Sequence, residues 1–130
     1  MATFSARDGR QLSYLAVGDG PLVVMLPGGP GMDPGAYFAD ARLPGFRQLY
    51  FCPRGTGRSD PPPALDGYRI GGYAADVEEL RTHLDAQTLT LYGNSHWAMI
   101  ALAYAEAHPS RVDRMILVNG VARIDGQYRA

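Results

Sequence analysis

The chain has 130 residues, 46% of them apolar, and its 12 basic and 13 acidic residues leave a formal net charge of -1. A chain of this length is enough for one domain with its own core, and a nearly neutral chain offers no electrostatic basis for binding nucleic acid or an anionic membrane. No apolar run approaches the ~20 residues that span a bilayer, and residues 1–10 lack the apolar stretch of a signal peptide, so we expect one cytoplasmic domain over residues 1–130.

Short apolar segments bounded by turn residues predict four strands in the first half of the chain: residues 3–6, 12–17, 22–26 and 48–52. Asp8-Gly9 suits a tight hairpin between the first two, since glycine accepts positive φ. The third strand is apolar throughout, which is typical of a parallel strand covered on both faces. We expect residues 34–43 to form a loop or a short helix.

The second half alternates between helices and strands. The predicted elements are a loop over residues 53–72, a helix over 73–86, a strand over 89–92, a helix over 95–108 and a strand over 112–118. Because the second helix is apolar almost all round, we expect it to be buried. Alternating strands and helices imply a parallel sheet with right-handed crossovers. We therefore predict an α/β fold of about six strands, mostly parallel, with helices on both faces and an antiparallel hairpin at one edge.

The turn between the strand over residues 89–92 and the following helix carries a candidate nucleophile. The strand is followed by Gly93, and Ser95 comes two residues later, where the helix begins. In a G-x-S-x-G nucleophile elbow this serine stands at the carboxyl edge of the sheet, where α/β folds bind ligands. Trp97 replaces the second glycine, so we expect a displaced turn with the indole in the crevice, where it contacts substrate, or against a partner chain. The alternative is that Ser95 only caps the helix.

A glycine-rich loop, Gly28-Gly29-Pro30-Gly31, follows the third predicted strand, so its backbone amides point into the same crevice. One amide of this loop and one of His96 could stabilise an oxyanion, and we expect Gly28 to line the substrate site. A phosphate-binding loop is less favoured, because there is no G-x-G-x-x-G and no lysine follows. The remaining alternative is a tight turn that needs positive φ. Together with Ser95, the loop favours acyl transfer.

Three motifs in the same order, Gly28-Gly29-Pro30-Gly31, Arg54-Gly55-Thr56-Gly57-Arg58-Ser59 and Gly93-Asn94-Ser95, resemble the N-terminal half of an α/β-hydrolase. They are most similar to the proline iminopeptidase branch, whose loops read H-G-G-P-G and D-x-R-G-x-G-x-S. The resemblance covers nearly all of the chain. It implies that Ser95 is the nucleophile and that Gly29 and His96 donate backbone N–H groups to the oxyanion. It also implies hydrolysis of esters or amides, including N-terminal peptide bonds, without a cofactor.

The sequence departs from this family at Pro27, where the family has histidine, at Cys52, where it has aspartate, and at Trp97. In the family the acid and the histidine of the triad follow later strands, which would lie beyond Ala130. The histidines inside the chain are poor substitutes: His83, His96 and His108. We therefore expect that the isolated chain has no complete triad and that a histidine outside it would serve as the base.

Other chemistry-bearing side chains have structural interpretations. Cys52, at a strand end, is more typical of a small buried hydrophobe than of a nucleophile, and a single cysteine forms no internal disulfide. The spacing of the three histidines does not indicate a zinc site, so we expect no metal. Arg54 and Arg58 could bind a substrate carboxylate, but a structural role is favoured. Three aromatic residues are expected to pack rather than to select substrate: Tyr37, Phe38 and Tyr73.

Two functions from different classes remain open. The first is a serine hydrolase of a small ester, lactone or peptide bond, with Ser95 as nucleophile; an aspartyl-ester mechanism is disfavoured because the elbow carries serine. The second is a non-catalytic α/β-hydrolase-like domain that binds or assembles. In either case the apolar strand Val112–Val118 would be an exposed sheet edge, so we expect a homo-oligomer or a complementing C-terminal segment to cover it.

Overall fold

A computed structural model describes residues 1–26, 28–29, 31–34 and 42–121. The strands are β1 (Ala2–Ser5), β2 (Gln11–Val17), β3 (Leu22–Leu26), β4 (Arg47–Cys52), β5 (Leu89–Asn94) and β6 (Val112–Val118). The helices are α1 (Ile70–His83) and α2 (His96–Ala107), with short 3-10 turns at Leu65–Tyr68 and Pro109–Arg111. Most of the expected loop or helix over residues 34–43 lies outside the described residues.

The six strands form one sheet in the order β1-β2-β4-β3-β5-β6. The pairs β1–β2 and β2–β4 are antiparallel, while β3–β4, β3–β5 and β5–β6 are parallel. The N-terminal hairpin therefore forms an antiparallel margin on a parallel centre, which confirms the predicted six-stranded, mostly parallel α/β fold. The central strands are buried on both faces, as the unbroken apolar sequence of β3 predicts.

The main core lies between the sheet and the two described helices. One face of α1 and one face of α2 enter this core together with alternate side chains of the central strands: Tyr73, Val77, Leu80, Trp97, Ile100 and Tyr104 from the helices, and Val24, Leu26, Leu49, Phe51, Leu89 and Leu91 from the strands. The intervening strand residues point to the opposite face, where Val23, Met25 and Tyr50 form a smaller cluster. Among the described residues, both helices thus pack on the same face.

Helix α1 begins at Ile70 and ends at His83, three residues earlier at each end than predicted. Its first turn includes Gly71 and Gly72, which the sequence analysis had assigned to a loop. The end is fixed by Asp85, whose φ of 51° leaves the helical region. A carboxylate residue tolerates this left-handed conformation better than most side chains, because it can hydrogen-bond locally.

Strand β6 is an edge of the sheet and is largely exposed. It pairs with β5 on one side, and β5 is its only described neighbour in the sheet order. Met115, Ile116 and Leu117 are 36%, 50% and 38% exposed. Because these neighbouring side chains point alternately to the two sides of the sheet, apolar surface is open on both faces at this edge.

Candidate active site

Two loops meet at the carboxyl edge of the sheet. Strand β3 pairs with β5 in parallel, and their last paired residues are Leu26 and Gly93. The glycine-rich loop follows directly after Leu26, and Ser95 follows two residues after Gly93. Because carboxyl ends of parallel strands open on the same edge, the pairing register brings the loop and the serine to one crevice.

Ser95 has the backbone geometry of a strained turn. Its φ is 56° and its ψ is -122°, a region that non-glycine residues rarely occupy. Such a conformation costs on the order of 1–3 kcal/mol and is characteristic of functional sites. The side chain is exposed and makes no capping hydrogen bond to α2, so the structure does not support the capping interpretation. The exposed hydroxyl stands at the N-terminus of a helix, where the dipole favours developing negative charge.

Gly93 is the residue that permits this turn. A Cβ atom at Gly93 would lie 2.7 Å from the Trp97 carbonyl oxygen and 2.9 Å from the Ala98 Cα, closer than packed atoms approach. The N-terminus of α2 therefore sits directly against the end of β5. The close approach falls on the glycine two residues before Ser95, and its contacts on the helix side are main-chain atoms.

The displaced turn that the sequence predicted at Trp97 is not observed. The indole is 1% exposed and packs edge-on against Tyr73, with ring centroids 5.3 Å apart. The first turn of α2 directs this side chain into the main core, so the elbow keeps its sharp turn. Trp97, expected to contact substrate from the crevice, is a core residue in this structure.

The glycine-rich loop turns tightly, with φ of 73° at Gly28 and 77° at Gly31; Pro27 and Pro30 lie outside the described residues. The Gly29 N–H, predicted as an oxyanion donor, donates to the Met32 Sδ at 3.2 Å, and the Met32 N–H donates to the Gly29 carbonyl at 3.4 Å. A thioether is a weak acceptor. A Cβ at Gly28 would come within 2.9 Å of the same sulfur, so the thioether covers this loop.

The second predicted oxyanion donor is the backbone N–H of His96, the first residue of α2. Among the described residues it has no acceptor, whereas the Ser95 N–H donates to the Val118 carbonyl at 2.9 Å and the Ala98 N–H to the Ser95 carbonyl at 3.0 Å. The end of β6 is thereby tied to the elbow. The His96 N–H remains available to a ligand.

None of the described histidines forms a hydrogen bond with Ser95. His83 stacks on Phe4 with centroids 4.4 Å apart, and His108 packs against Tyr104 at the far end of α2. Burial lowers the pKa of His96, and its Nε2 is buried without a described hydrogen-bond partner. The ring of His96 packs against Tyr73 and Trp97, so the described residues provide no general base at the serine.

The arginine loop is held by a carboxylate that the sequence analysis did not single out. Asp76 is fully buried and accepts hydrogen bonds from the Arg54 backbone N–H, Nε and Nη2, and from Arg10 Nη2. Arg54 Nη1 donates to the Gly67 carbonyl. The sequence did contain an indication of this role, because Asp76 interrupts the apolar face of α1 that begins at Tyr73. Each of the three guanidinium nitrogens of Arg54 donates a hydrogen bond to a protein acceptor, which supports the structural role favoured for Arg54. Arg58 is exposed.

Cys52 is fully buried at the end of β4, and burial raises the pKa of its thiol to about 11. A Cβ at Gly57 would lie 2.8 Å from its sulfur, so the arginine loop folds directly over it. A protonated, enclosed thiol is a poor nucleophile, in keeping with the structural interpretation. Tyr73 is buried in the core, and Tyr37 and Phe38 lie outside the described residues. No three metal-ligating side chains cluster within the described ranges.

Residues 21–129 match the family model described as alpha/beta hydrolase fold. The proline iminopeptidase of Xanthomonas citri is 38% identical over 105 residues, which are 78% of this chain and 33% of that protein. The proline iminopeptidase of Arabidopsis thaliana is 34% identical over 102 residues, 76% of this chain and 26% of that protein. The chain thus spans between about a quarter and a third of the length of these curated relatives.

Solved structures show the same fold. An esterase from Exiguobacterium antarcticum superposes with a TM-score of 0.79 at 33% identity, over 92% of this chain and 45% of the esterase. An epoxide hydrolase mutant of Vigna radiata superposes with a TM-score of 0.82 over 99% of this chain and 41% of that protein. Since its identity is 22%, this second likeness concerns the fold alone. Within the described residues, no helix has the length and apolar character needed to cross a membrane.

Proposed function

The chain belongs to the α/β-hydrolase fold family, with proline iminopeptidase-like sequence, and on this basis we propose that it is the nucleophile-bearing part of a cytoplasmic serine hydrolase. Its substrate is a small ester, lactone, or peptide or amide bond. The observation that carries the proposal is the strained, exposed Ser95 at the junction of β5 and α2. Strain at an exposed serine in a hydrolase fold is most simply explained by a nucleophile elbow.

In the proposed reaction, Ser95 Oγ attacks the substrate carbonyl carbon and transfers its proton to a histidine outside the described residues. The negative charge that develops on the carbonyl oxygen is stabilised by the backbone N–H groups of His96 and Gly29. The histidine protonates the leaving alcohol or amine, and an acyl-serine remains. Water, activated by the same histidine, then releases the acid and restores Ser95.

The acid and the histidine are proposed to come from a segment that adds further strands beside β6. The Ser95 N–H bonds to the Val118 carbonyl, so the carboxyl end of β6 lies at the elbow. A strand added in parallel to β6 would deliver the residues that follow it to the same edge of the sheet. The exposed apolar side chains of β6 favour such a neighbour, and the chain spans between about a quarter and a third of the length of its curated relatives. A second copy of the chain is the alternative occupant.

Complementation tests this function directly. The 130-residue chain is co-expressed with the C-terminal half of the Exiguobacterium esterase, and hydrolysis of p-nitrophenyl acetate and of proline p-nitroanilide is followed. We expect the complemented protein to be active. The Ser95→Ala substitution should abolish this activity, whereas the matched control Ser110→Ala, at an exposed serine, should retain it. Equal rates for Ser95→Ala and for the unmodified complex would contradict the proposal.

A non-catalytic binding domain is the second candidate, and one observation favours it. The Gly29 N–H, which the hydrolase mechanism needs, is engaged by the Met32 thioether. If that contact persists when an acyl substrate is present, the oxyanion has only the His96 donor. A stable, well-assembled complex that binds substrate analogues without turnover would support this candidate over the hydrolase.

A further inference from the structure

The turn that follows β6 consists of an asparagine and a glycine, Asn119 and Gly120, and it lies at the same edge of the sheet as Ser95. Asn119 has a φ of 53°, a left-handed conformation that asparagine tolerates better than most residues. Both residues of the turn are exposed. Because the preceding Val118 carbonyl accepts the Ser95 N–H, the turn is directly beside the elbow.

The backbone N–H of Gly120 is free to react with the side chain that precedes it. It donates to no acceptor among the described residues, and the Asn119 carboxamide makes no hydrogen bond with them either. Glycine has no side chain to hold its nitrogen away from the preceding carboxamide, and its backbone is the most permissive of all residues. Attack by a neighbouring amide nitrogen is one reason that asparagine is a thermolabile residue.

The second asparagine of the chain, Asn94, is protected from this reaction. It is half-buried at the end of β5, and its carboxamide oxygen is buried. The amide nitrogen that follows it belongs to Ser95, and this N–H donates to the Val118 carbonyl at 2.9 Å. An amide that is held in this hydrogen bond is poorly placed to attack its neighbour. The two asparagines therefore differ in every feature that the reaction requires.

We propose that Asn119 is a site of spontaneous covalent modification, which converts this residue into isoaspartate and aspartate beside the elbow. The Gly120 nitrogen attacks the Asn119 side-chain carbonyl carbon, and a succinimide ring closes as ammonia leaves. The proton of the attacking nitrogen passes through solvent to the departing ammonia. Water then opens the ring: addition at the side-chain carbonyl gives aspartate, and addition at the backbone carbonyl gives isoaspartate. Water is the only co-reactant.

The modified residue lies between two points at which the chain contacts the start of α2. On one side, the Val118 carbonyl accepts the Ser95 N–H at 2.9 Å. On the other side, a Cβ at Gly120 would lie 2.6 Å from the Ala98 Cβ, so Gly120 packs closely on the helix. Isoaspartate lengthens the main chain by one carbon between these points, so the two contacts cannot both persist unchanged. On the proposed function, this rearrangement should make Ser95 less reactive.

Ageing of the 130-residue chain at mildly alkaline pH tests the modification without any need for catalysis. Peptide mass spectrometry measures the conversion of each asparagine, and methylation by an isoaspartyl methyltransferase detects the isoaspartate. We expect Asn119 to be converted at least tenfold faster than Asn94, with isoaspartate as the main product. Equal rates at the two asparagines would overturn the proposal. So would an intact Asn119 under conditions that convert a synthetic peptide of residues 116–122.

Variants separate the modification from its effect on the elbow. Asn119→Gly accepts the left-handed turn and has no carboxamide, so ageing should produce no methylation at this position and no change in the fluorophosphonate reactivity of the complemented protein. Asn119→Asp carries the product charge without the added main-chain carbon, so it should react faster than aged protein rich in isoaspartate. Equal reactivity of fresh and isoaspartate-containing protein would refute the effect on the elbow. Isoaspartate formation in a protein whose serine never reacts would leave the modification site standing and reject the hydrolase; serine reactivity without isoaspartate formation would do the reverse.

Discussion

At the scale of single residues, Ser95 has a backbone conformation that only glycine adopts without strain. The pair φ 56°, ψ -122° is the mirror image of an ordinary extended conformation, so glycine accepts it freely. We predict that Ser95→Gly is more stable than Ser95→Ala by about 1 kcal/mol, since relief of strain exceeds the added entropy of the unfolded chain. Urea unfolding of the two variants measures this difference. An alanine variant as stable as the glycine variant would mean that the turn is unstrained.

Met32 occupies the backbone N–H of Gly29, which we propose as an oxyanion donor. Its Sδ accepts the Gly29 N–H at 3.2 Å, and an incoming oxyanion must replace it. We predict that Met32→Ala exposes this amide, so that Gly29 exchanges hydrogen faster and the complemented protein reacts faster with a phosphonate. If the lost contact is worth about 0.5–1.5 kcal/mol, the rate should rise roughly 2- to 12-fold. Leu65→Ala, at an exposed site away from both the glycine-rich loop and β6, should change neither quantity. Unchanged exchange at Gly29 in Met32→Ala would show that the sulfur does not protect the amide.

At the scale of elements, the junction of β5 with α2 depends on Gly93. An alanine Cβ there would meet main-chain atoms of Trp97 and Ala98 at 2.7–3.0 Å, and neither strand nor helix can move without disturbing the core. We predict a loss of about 1–3 kcal/mol or more for Gly93→Ala. Gly71→Ala is the matched control: a Cβ there meets nothing within 4 Å, and alanine in a helix should add about 0.5–1 kcal/mol. Equal effects of the two substitutions in thermal unfolding would contradict the close packing.

Helices α1 and α2 are joined by a partly buried acid. Glu78 forms a bidentate pair with Arg81 and accepts a hydrogen bond from the Tyr104 hydroxyl at 2.7 Å, which holds its pKa at about 2. Because the folded-state pKa is depressed, this stabilisation is present above the unfolded value near 4.5 and is lost as the pH falls toward 2.

We therefore predict that the stability difference between the unmodified protein and Glu78→Gln shrinks by about 2–3 kcal/mol between pH 5 and pH 2. Urea unfolding across this range measures it, and the exposed Glu106→Gln is the control. A difference that does not vary with pH would show that the Glu78 carboxylate does not stabilise the fold.

The local sequence predicted the elements better than it predicted their contacts. Apolar runs and glycine positions located all six strands and both described helices, because these signals act over a few residues. The burial of Trp97 and the pairing of Asp76 with Arg54 depend on how α1 and α2 pack, which no local pattern specifies. The likeness of the glycine loop to an oxyanion loop likewise gave no indication that Met32 would occupy a donor.

At the scale of the whole molecule, the open edge of β6 should govern assembly. Met115 and Leu117 share one face of this strand and are more than a third exposed. We predict that the isolated 14.1 kDa chain self-associates and that the double substitution Met115→Lys, Leu117→Lys shifts it to monomer, because unpaired apolar edges recruit partners. Leu65→Lys, at an exposed site away from the sheet, is the control. Light scattering measures the molar mass of each variant in solution. A dilute monomer of the unmodified chain would contradict the role assigned to this edge.

In our proposal, Ser95 becomes a nucleophile once a segment beside β6 supplies the acid and the histidine. The most direct measurement is intact and peptide mass spectrometry after exposure to a fluorophosphonate, with and without the complementing C-terminal half. We predict a single adduct on Ser95 that forms quickly in the complemented protein and slowly or not at all in the isolated chain. No adduct on Ser95 in a complemented protein that is folded and assembled would contradict it.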